Sequence, residues 1–289
     1  MRMGDGALHL DLFEQPGVWG VFSGVLVPVK RRDATRATMH MLAAQYLGKL
    51  SALCQRIAET QAEKIDRACA VIAEEIGKGK LVYAWGTGGH DNRSAEELLW
   101  RAGGLACVAV ILDPGLSLMH GATKATKIER LPGYAKGVLD YYQIGKDDTL
   151  LLVNSYGINA LTIDAVHACR ERGTRVIAVT SCEFPGSVPP SHPARHPSNE
   201  NLHEIVDLVI DTAIPPGDAV MDIPGFPYKV AGISTLVNVF VLNVIVCGVV
   251  EKLVQAGVDP PVWVSANAPG GDAWNKKLLE RYVGRVRHL

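Results

Sequence analysis

Three loops in this sequence concentrate residues that could bind a small ligand, and each follows a short apolar run. Numbered by the run that each follows, loop one covers residues 86–94, loop three residues 154–159, and loop four residues 180–187. Their candidate binding residues are Gly86, Thr87, Gly88, Gly89, Ser94, Asn154, Ser155, Tyr156, Gly157, Asn159, Thr180, Ser181 and Ser187. Glycines let the backbone approach an anion, and free N–H groups at a helix start can bind it. Hydroxyls and amides without a lysine suit an uncharged polyol, or a phosphate bound mainly by backbone and serine donors.

Loop one differs from two well-known phosphate-binding loops. A dinucleotide-binding GxGxxG sequence needs a glycine where Asp91 stands, and no Gly-Lys-Ser/Thr sequence closes the loop as in a P-loop. Two other interpretations stay open. The glycines also suit a tight strand-to-helix turn, and serines at helix starts are often ordinary N-caps.

The spacing of apolar residues predicts the elements that position these loops. Strands are expected over residues 81–85, 106–112, 149–153, 174–180 and 205–210, and helices over residues 36–77, 92–101, 134–142, 160–172 and 272–283. The strand runs are continuously apolar, which is typical of a parallel sheet covered on both faces. Their alternation with helices predicts a doubly wound α/β fold. Ligands bind such sheets outside the carboxyl ends of the strands, near a topological switch point, which is where the three loops lie.

The composition excludes several classes of protein. A hydrophobic content of 48% with 20% charged residues is ordinary for a globular protein, and the net charge is −1. This charge provides no general attraction for nucleic acid or an anionic membrane surface. We expect a single domain over residues 41–289, preceded by an extension over residues 1–40.

The six cysteines show neither a CxxC pair nor the Cys/His spacing of a zinc site, so no metal is expected. They are expected to be reduced core residues of a cytoplasmic protein. Acidic residues precede the first apolar run, so no signal peptide is expected. The uncharged segment 230–250 approaches the length of a membrane span, but it contains Asn238 and Asn243. We expect a helix buried on all sides, within the domain or at a subunit interface.

Several separate blocks, in the same order, resemble the SIS (sugar isomerase) family, and in particular its UPF0309-like bacterial members. The blocks are Gly86-Thr87-Gly88, residues 95–98, residues 101–104, residues 112–115, residues 127–130, residues 215–219, Ser265-Ala266-Asn267, Gly270-Gly271-Asp272 and Glu280-Arg281-Tyr282. The resemblance covers roughly residues 45–283. It implies a three-layer α/β/α sandwich with a five-stranded, parallel, flavodoxin-like sheet. It also implies a homodimer or tetramer with a sugar-phosphate site at the subunit interface.

This chain departs from the family pattern in two loops. In loop one, the extra Gly89 precedes His90, and Asp91-Asn92 replaces Ser-His. In loop three, Tyr156 and Ile158 replace a phosphate-type serine and an arginine. Loop three therefore suits a non-phosphorylated sugar, or a phosphate bound chiefly by loop four.

The resemblance implies an aldose–ketose isomerase that works without a cofactor through an enediol, in which a general acid–base pair moves a proton between neighbouring carbons. The candidates for proton transfer are Glu97, His90, His120 and His196, and Asp218 is a candidate for binding sugar hydroxyls. Glu97 is preferred as the base, because it follows loop one on the same predicted helix. Two alternatives stay open, a non-catalytic sugar-phosphate sensor and a phosphosugar lyase or etherase.

Overall fold

The computed structural model describes residues 31–289, with side chains from residue 38, so most of the expected extension lies outside the described residues. The chain divides into two compact units, Met1–Gln45 and Tyr46–Leu289. The sheet and all three loops lie in the second unit. The domain boundary expected near residue 40 stays a prediction.

Five parallel strands form the central sheet. They are β1 (Val82–Gly86), β2 (Val108–Ile111), β3 (Thr149–Val153), β4 (Arg175–Thr180) and β5 (Leu208–Asp211). Their order is β2-β1-β3-β4-β5, which is the flavodoxin-like order. Every residue of β2 and β3 is buried, which explains why the strand runs are continuously apolar. The predicted fold class is confirmed.

Nine helices are found in the described residues. They are α1 (Arg31–Thr60), α2 (Ala62–Gly77), α3 (Gly89–Glu96), α4 (Ala122–Glu129), α5 (Tyr134–Tyr141), α6 (Ala160–Arg172), α7 (Leu202–Ile205), α8 (Ser234–Gln255) and α9 (Gly271–Tyr282). Short 3₁₀ turns cover Leu118–His120 and Phe184–Ser187. A hairpin of β6 (Ala219–Met221) and β7 (Val230–Gly232) precedes α8.

Two of the predicted helices need correction. The helix expected over residues 36–77 is two helices, because the backbone leaves helical geometry at Gln61. The Gln61 side chain accepts a hydrogen bond from the Asp211 N–H at 3.1 Å, so the junction between α1 and α2 contacts the end of β5. The helix expected over residues 92–101 begins at Gly89 and ends at Glu96, and Trp100 beyond it has a left-handed φ of 52°.

Helix α8 is the apolar segment that imitates a membrane span. It is the one helix among residues 31–289 with the length and composition to cross a membrane, and 44% of its most apolar stretch is buried in the protein. Its inner face packs so closely on α2 that a Cβ on Gly248 would lie 2.6 Å from the Cys69 sulfur. The outer face of α8 is not buried within the described chain, since Leu236 and Val254 are 46% and 62% exposed, and its burial at a subunit interface stays a prediction.

All six cysteines are free thiols in the described structure. Cys69, Cys107 and Cys169 are buried as expected, whereas Cys247 is exposed on the outer face of α8. The expectation of core cysteines therefore holds for half of them.

Candidate functional site

Loops one and three meet at the switch point of the sheet, where the neighbouring strands β1 and β3 end. Asp91 from loop one and Ser155 from loop three are joined there by Asn238 from α8, and we call these three residues the Asp91 cluster. Asp91 Oδ1 accepts hydrogen bonds from the Ser155 N–H at 3.2 Å and the Ser155 hydroxyl at 2.6 Å. The Asn238 amide donates to Asp91 Oδ1 at 3.1 Å and to Ser155 Oγ at 3.0 Å. All three residues are buried, so this network fixes one oxygen of the carboxylate.

Two glycines of loop one make room for Asp91. A Cβ on Gly86 would lie 2.0 Å from the Asp91 main-chain oxygen, so only glycine lets α3 start this close to the end of β1. A Cβ on Gly88 would lie 2.5 Å from Asp91 Oδ2. No group among the described residues donates a hydrogen bond to Oδ2, so this oxygen is available to a ligand beside Gly88.

Burial raises the pKa of Asp91 from 3.8 to about 7. The two hydrogen bonds from Ser155 lower this pKa, and the negative charges of Glu129 and Asp218 raise it. Removal from water dominates because it disfavours the charged carboxylate. A carboxyl group with a pKa near neutral can both accept and return a proton at physiological pH.

A second carboxyl group, that of Glu129, lies beside Gly89 of loop one. It belongs to the last turn of α4, and its Oε1 accepts a hydrogen bond from the Gly89 N–H at 2.7 Å. Burial raises the pKa of Glu129, while the Gly89 N–H, Arg130 and His90 lower it. Two acids with raised pKa values therefore lie beside consecutive glycines of loop one, Asp91 beside Gly88 and Glu129 beside Gly89.

Tyr156 and Asp218 complete the surroundings of this pair. The Tyr156 ring stacks on Phe184 at a centroid distance of 4.0 Å, and burial followed by the charges of Asp218, Asp91 and Glu129 raises its pKa to about 12. Tyr156 is therefore a neutral phenol and a hydrogen-bond donor. Asp218 accepts hydrogen bonds from the Ile233 and Ser234 N–H groups at 2.9 and 2.7 Å, which holds the first turn of α8 and with it Asn238.

Several predicted binding residues lie at this site, and others are committed to the fold. Gly86, Gly88, Gly89, Ser155 and Tyr156 surround the two acids. The side-chain oxygen of Asn154 instead accepts the Gly157 N–H at 2.7 Å, which shapes loop three. A Cβ on Gly157 would lie 2.9 Å from the Leu202 Cβ, and its φ of 64° also favours glycine.

The remaining hydroxyls and amides of the three loops bond to the protein itself. Thr87 pairs with Thr162 at 2.8 Å, Ser94 donates to the His90 carbonyl at 3.2 Å, Asn159 to Ala194 at 3.0 Å, Ser181 to Ile214 at 2.8 Å, and Ser187 to Phe184 at 2.7 Å. Thr180 Oγ1 is buried without a partner among the described residues. The Ser181 and Ser187 hydroxyls of loop four are therefore committed to bonds within the protein.

The four residues predicted to transfer protons lie outside the Asp91 cluster. Glu97 follows the end of α3 and pairs with Arg101 at 2.9 Å on a partly exposed surface. His90 and His120 are exposed, and His90 is near enough to lower the pKa of Glu129. His196 contacts Asp164 at 3.2 Å through Nε2 and Ser198 Oγ at 2.7 Å through Nδ1.

Sequence reasoning missed Asp91, Glu129 and Asn238 as functional candidates. Asp91 was visible as the residue that breaks the GxGxxG pattern. Asn238 was visible as a polar residue in an otherwise apolar helix, where an amide needs a hydrogen-bonding partner. No local signal brings Glu129 to Gly89, because that contact joins residues 40 positions apart.

Comparison with known proteins agrees with this fold. The model of the SIS domain matches residues 45–181, which include β1, β3 and both loops of the switch point. A UPF0309 protein of Brucella canis is 36% identical over 243 residues, which is 84% of this chain and 95% of that protein. A UPF0309 protein of Brucella anthropi is 37% identical over the same length. This chain belongs to the UPF0309 family of SIS-domain proteins.

Among solved structures, the chain is similar to the phosphoheptose isomerase GmhA from Neisseria gonorrhoeae. The sequence identity is 15%, the TM-score is 0.49, and the match covers 73% of this chain and 98% of that one.

Proposed function

We propose that this protein binds a sugar phosphate and isomerises it between aldose and ketose, with Asp91 and Glu129 as the acid–base pair. Membership of a SIS-domain family supports a sugar-phosphate ligand. The observation that carries the catalytic part is the buried Asp91 carboxyl group, which has a pKa of about 7 and one oxygen free beside Gly88.

In the proposed mechanism the two acids have complementary tasks. Asp91 Oδ2 takes the proton from the carbon next to the sugar carbonyl and returns it to the neighbouring carbon. Glu129, whose pKa is raised, carries the proton that moves between the two sugar oxygens. The enediol forms as the C–H bond breaks and the carbonyl oxygen gains a proton from Glu129. The ketose forms when Asp91 returns its proton to the former carbonyl carbon and the neighbouring hydroxyl group gives its proton to Glu129. Ser155 and Asn238 hold Asp91 Oδ1, so the free oxygen keeps one orientation.

Tyr156 supports binding of the sugar ring or chain. As a neutral phenol packed on Phe184, it presents an apolar face and a hydrogen-bond donor at the entrance to loop three. Its bulk, where the family carries a small serine, favours recognition of sugar hydroxyls over a phosphate at this position.

The outer face of α8 supports self-association of this cytoplasmic protein. Its outward residues recur at alternating steps of four and three, at Leu236, Phe240, Asn243, Cys247, Val250 and Val254. That spacing is the seam of a coiled coil, in which one polar asparagine fixes the register. Leu236→Glu with Val254→Glu should lower the molar mass measured by light scattering, and an unchanged mass would place the contact elsewhere.

A screen for thermal stabilisation, followed by product analysis, tests the proposed function. Paired free and phosphorylated sugars are tested on the wild type and on Asp91→Asn, since a ligand well above its Kd raises the melting temperature. The proposal expects a sugar phosphate that stabilises both proteins and is isomerised by the wild type alone. A ligand that binds both proteins and is converted by neither would make the protein a sensor, and release of a second product would make it a lyase.

A further inference from the structure

A groove beside the sheet carries three positively charged side chains. It has a volume of about 360 Å³ and lies between α1, the segment after β5 and the β6–β7 hairpin. Lys49, Arg56 and Lys229 line it, together with apolar residues that include Leu53, Pro215 and Ile233. No acidic residue within the described part of the chain lines it. The groove is thus apolar at its floor and positively charged at its rim.

The three cations have no anionic partner among residues 38–289. All three are exposed, and none forms an ion pair with a residue between positions 38 and 289. Lys49 and Arg56 are seven residues apart, which places them on one face of α1 about 10 Å apart along the axis. Unpaired cations that converge on one groove create a potential that attracts an anion.

The charge of the candidate site explains why an anion would bind here. Asp91, Glu129 and Asp218 make the switch point acidic, and loop three has Ile158 where an arginine would neutralise a phosphate. A phosphate group placed against these carboxylates would be repelled. A substrate that carries both a carbonyl and a phosphate therefore needs its phosphate at a separate, positively charged place.

The groove and the site share one connecting element. Pro215 and Ile233 line the groove, and the Ile233 N–H donates to Asp218 at 2.9 Å. The charge of Asp218 in turn raises the pKa values of Asp91 and Tyr156. The groove also lies at the carboxyl end of β5, on the edge of the sheet where ligands of this fold bind.

We propose that this groove binds a phosphate group through Lys49, Arg56 and Lys229, and that it is the phosphate subsite of the sugar ligand. The identity of the ligand rests on the proposed function, whereas phosphate binding at the groove does not. Arginine binds phosphate through two parallel N–H groups, and lysine contributes a mobile point charge.

Titration calorimetry with inorganic phosphate tests the groove directly, in a chloride background of constant ionic strength. The test variant is Lys49→Gln with Arg56→Gln, and the matched control is Lys276→Gln with Lys277→Gln, which removes two exposed charges from α9. Unchanged melting temperatures would show that both variants fold. The wild type and the control should bind phosphate equally, and the groove variant at least tenfold more weakly.

Two results would overturn the proposal. They are a wild type that binds no phosphate, and equal phosphate affinities for both variants. If the affinities are equal and the groove variant changes molar mass, the groove is a contact between copies of the chain. If phosphate binding falls as expected and no sugar phosphate is converted, the groove still binds phosphate, but the proposed isomerase function is wrong.

Discussion

Two aspartates close to loop three make a useful comparison. Asp164 uses both carboxylate oxygens, since Oδ1 contacts His196 Nε2 at 3.2 Å and Oδ2 accepts the Gly133 N–H at 2.6 Å. His196 is equally committed, because its other nitrogen contacts Ser198. Asp91 keeps Oδ2 free and is removed from water. A His–Asp pair that looks catalytic by residue type lacks a free atom, whereas a buried aspartate has both a free atom and a shifted pKa.

The largest effect should come from removing the acid function of Asp91. Asp91→Asn keeps an oxygen that can accept all three hydrogen bonds at Oδ1, so the fold should survive. We expect the rate of isomerisation to fall by about 10³-fold, within the range of general acid–base catalysis. Steady-state kinetics on the sugar phosphate found in the screen would measure it. A loss below tenfold would remove Asp91 from the proton transfer.

The free energy of unfolding should also depend on pH through Asp91. Because the folded pKa of Asp91 is raised from 3.8 to about 7, the folded state binds an extra proton between those pH values. This extra proton stabilises the folded state by roughly 4 kcal/mol below about pH 4. The stabilisation is lost as the pH rises to about 7. Urea unfolding of the wild type and Asp91→Asn should show the variant gaining relative stability across this window. Parallel stability curves would contradict the raised pKa.

A smaller effect should follow loss of the Ser155 hydroxyl. Its hydrogen bond to Asp91 lowers the pKa of that carboxyl group, so Ser155→Ala should raise the pKa and move the midpoint of the pH–rate profile upward. Thr174→Val is the matched control. It removes a buried hydroxyl that donates to the Gly145 carbonyl, at the amino end of β4 and away from the site. If both variants have the wild-type midpoint, Ser155 does not tune Asp91.

The smallest effects should come from His196 and Glu97. His196→Gln and Glu97→Gln should change kcat/KM by less than about twofold, because neither residue contacts the Asp91 cluster and the exposed Glu97–Arg101 ion pair contributes little energy. The same kinetic assay covers both variants. A hundredfold loss of kcat/KM in either variant would show that the substituted residue, and not Asp91, transfers the proton.

The sequence predicts the sheet well and the site only in part. Continuous apolar runs predict strands because both faces of the sheet are buried, and the helix over residues 160–172 ends as expected because Gly173 follows it in the left-handed conformation. Loops one and three are found at the switch point, since their place follows from strand order. The spacing of residues does not predict which polar side chains become buried. Asp91 gains its role from long-range packing against Ser155 and Asn238, residues 64 and 147 positions away.

Exchange of the substrate proton with solvent tests most directly whether Asp91 moves that proton. The wild type and Asp91→Asn are each incubated in D₂O with the sugar phosphate that stabilises both, and proton NMR follows the hydrogen next to the carbonyl. We expect this signal to disappear with the wild type and to persist with Asp91→Asn. Equal exchange by both proteins would show that another residue moves the proton.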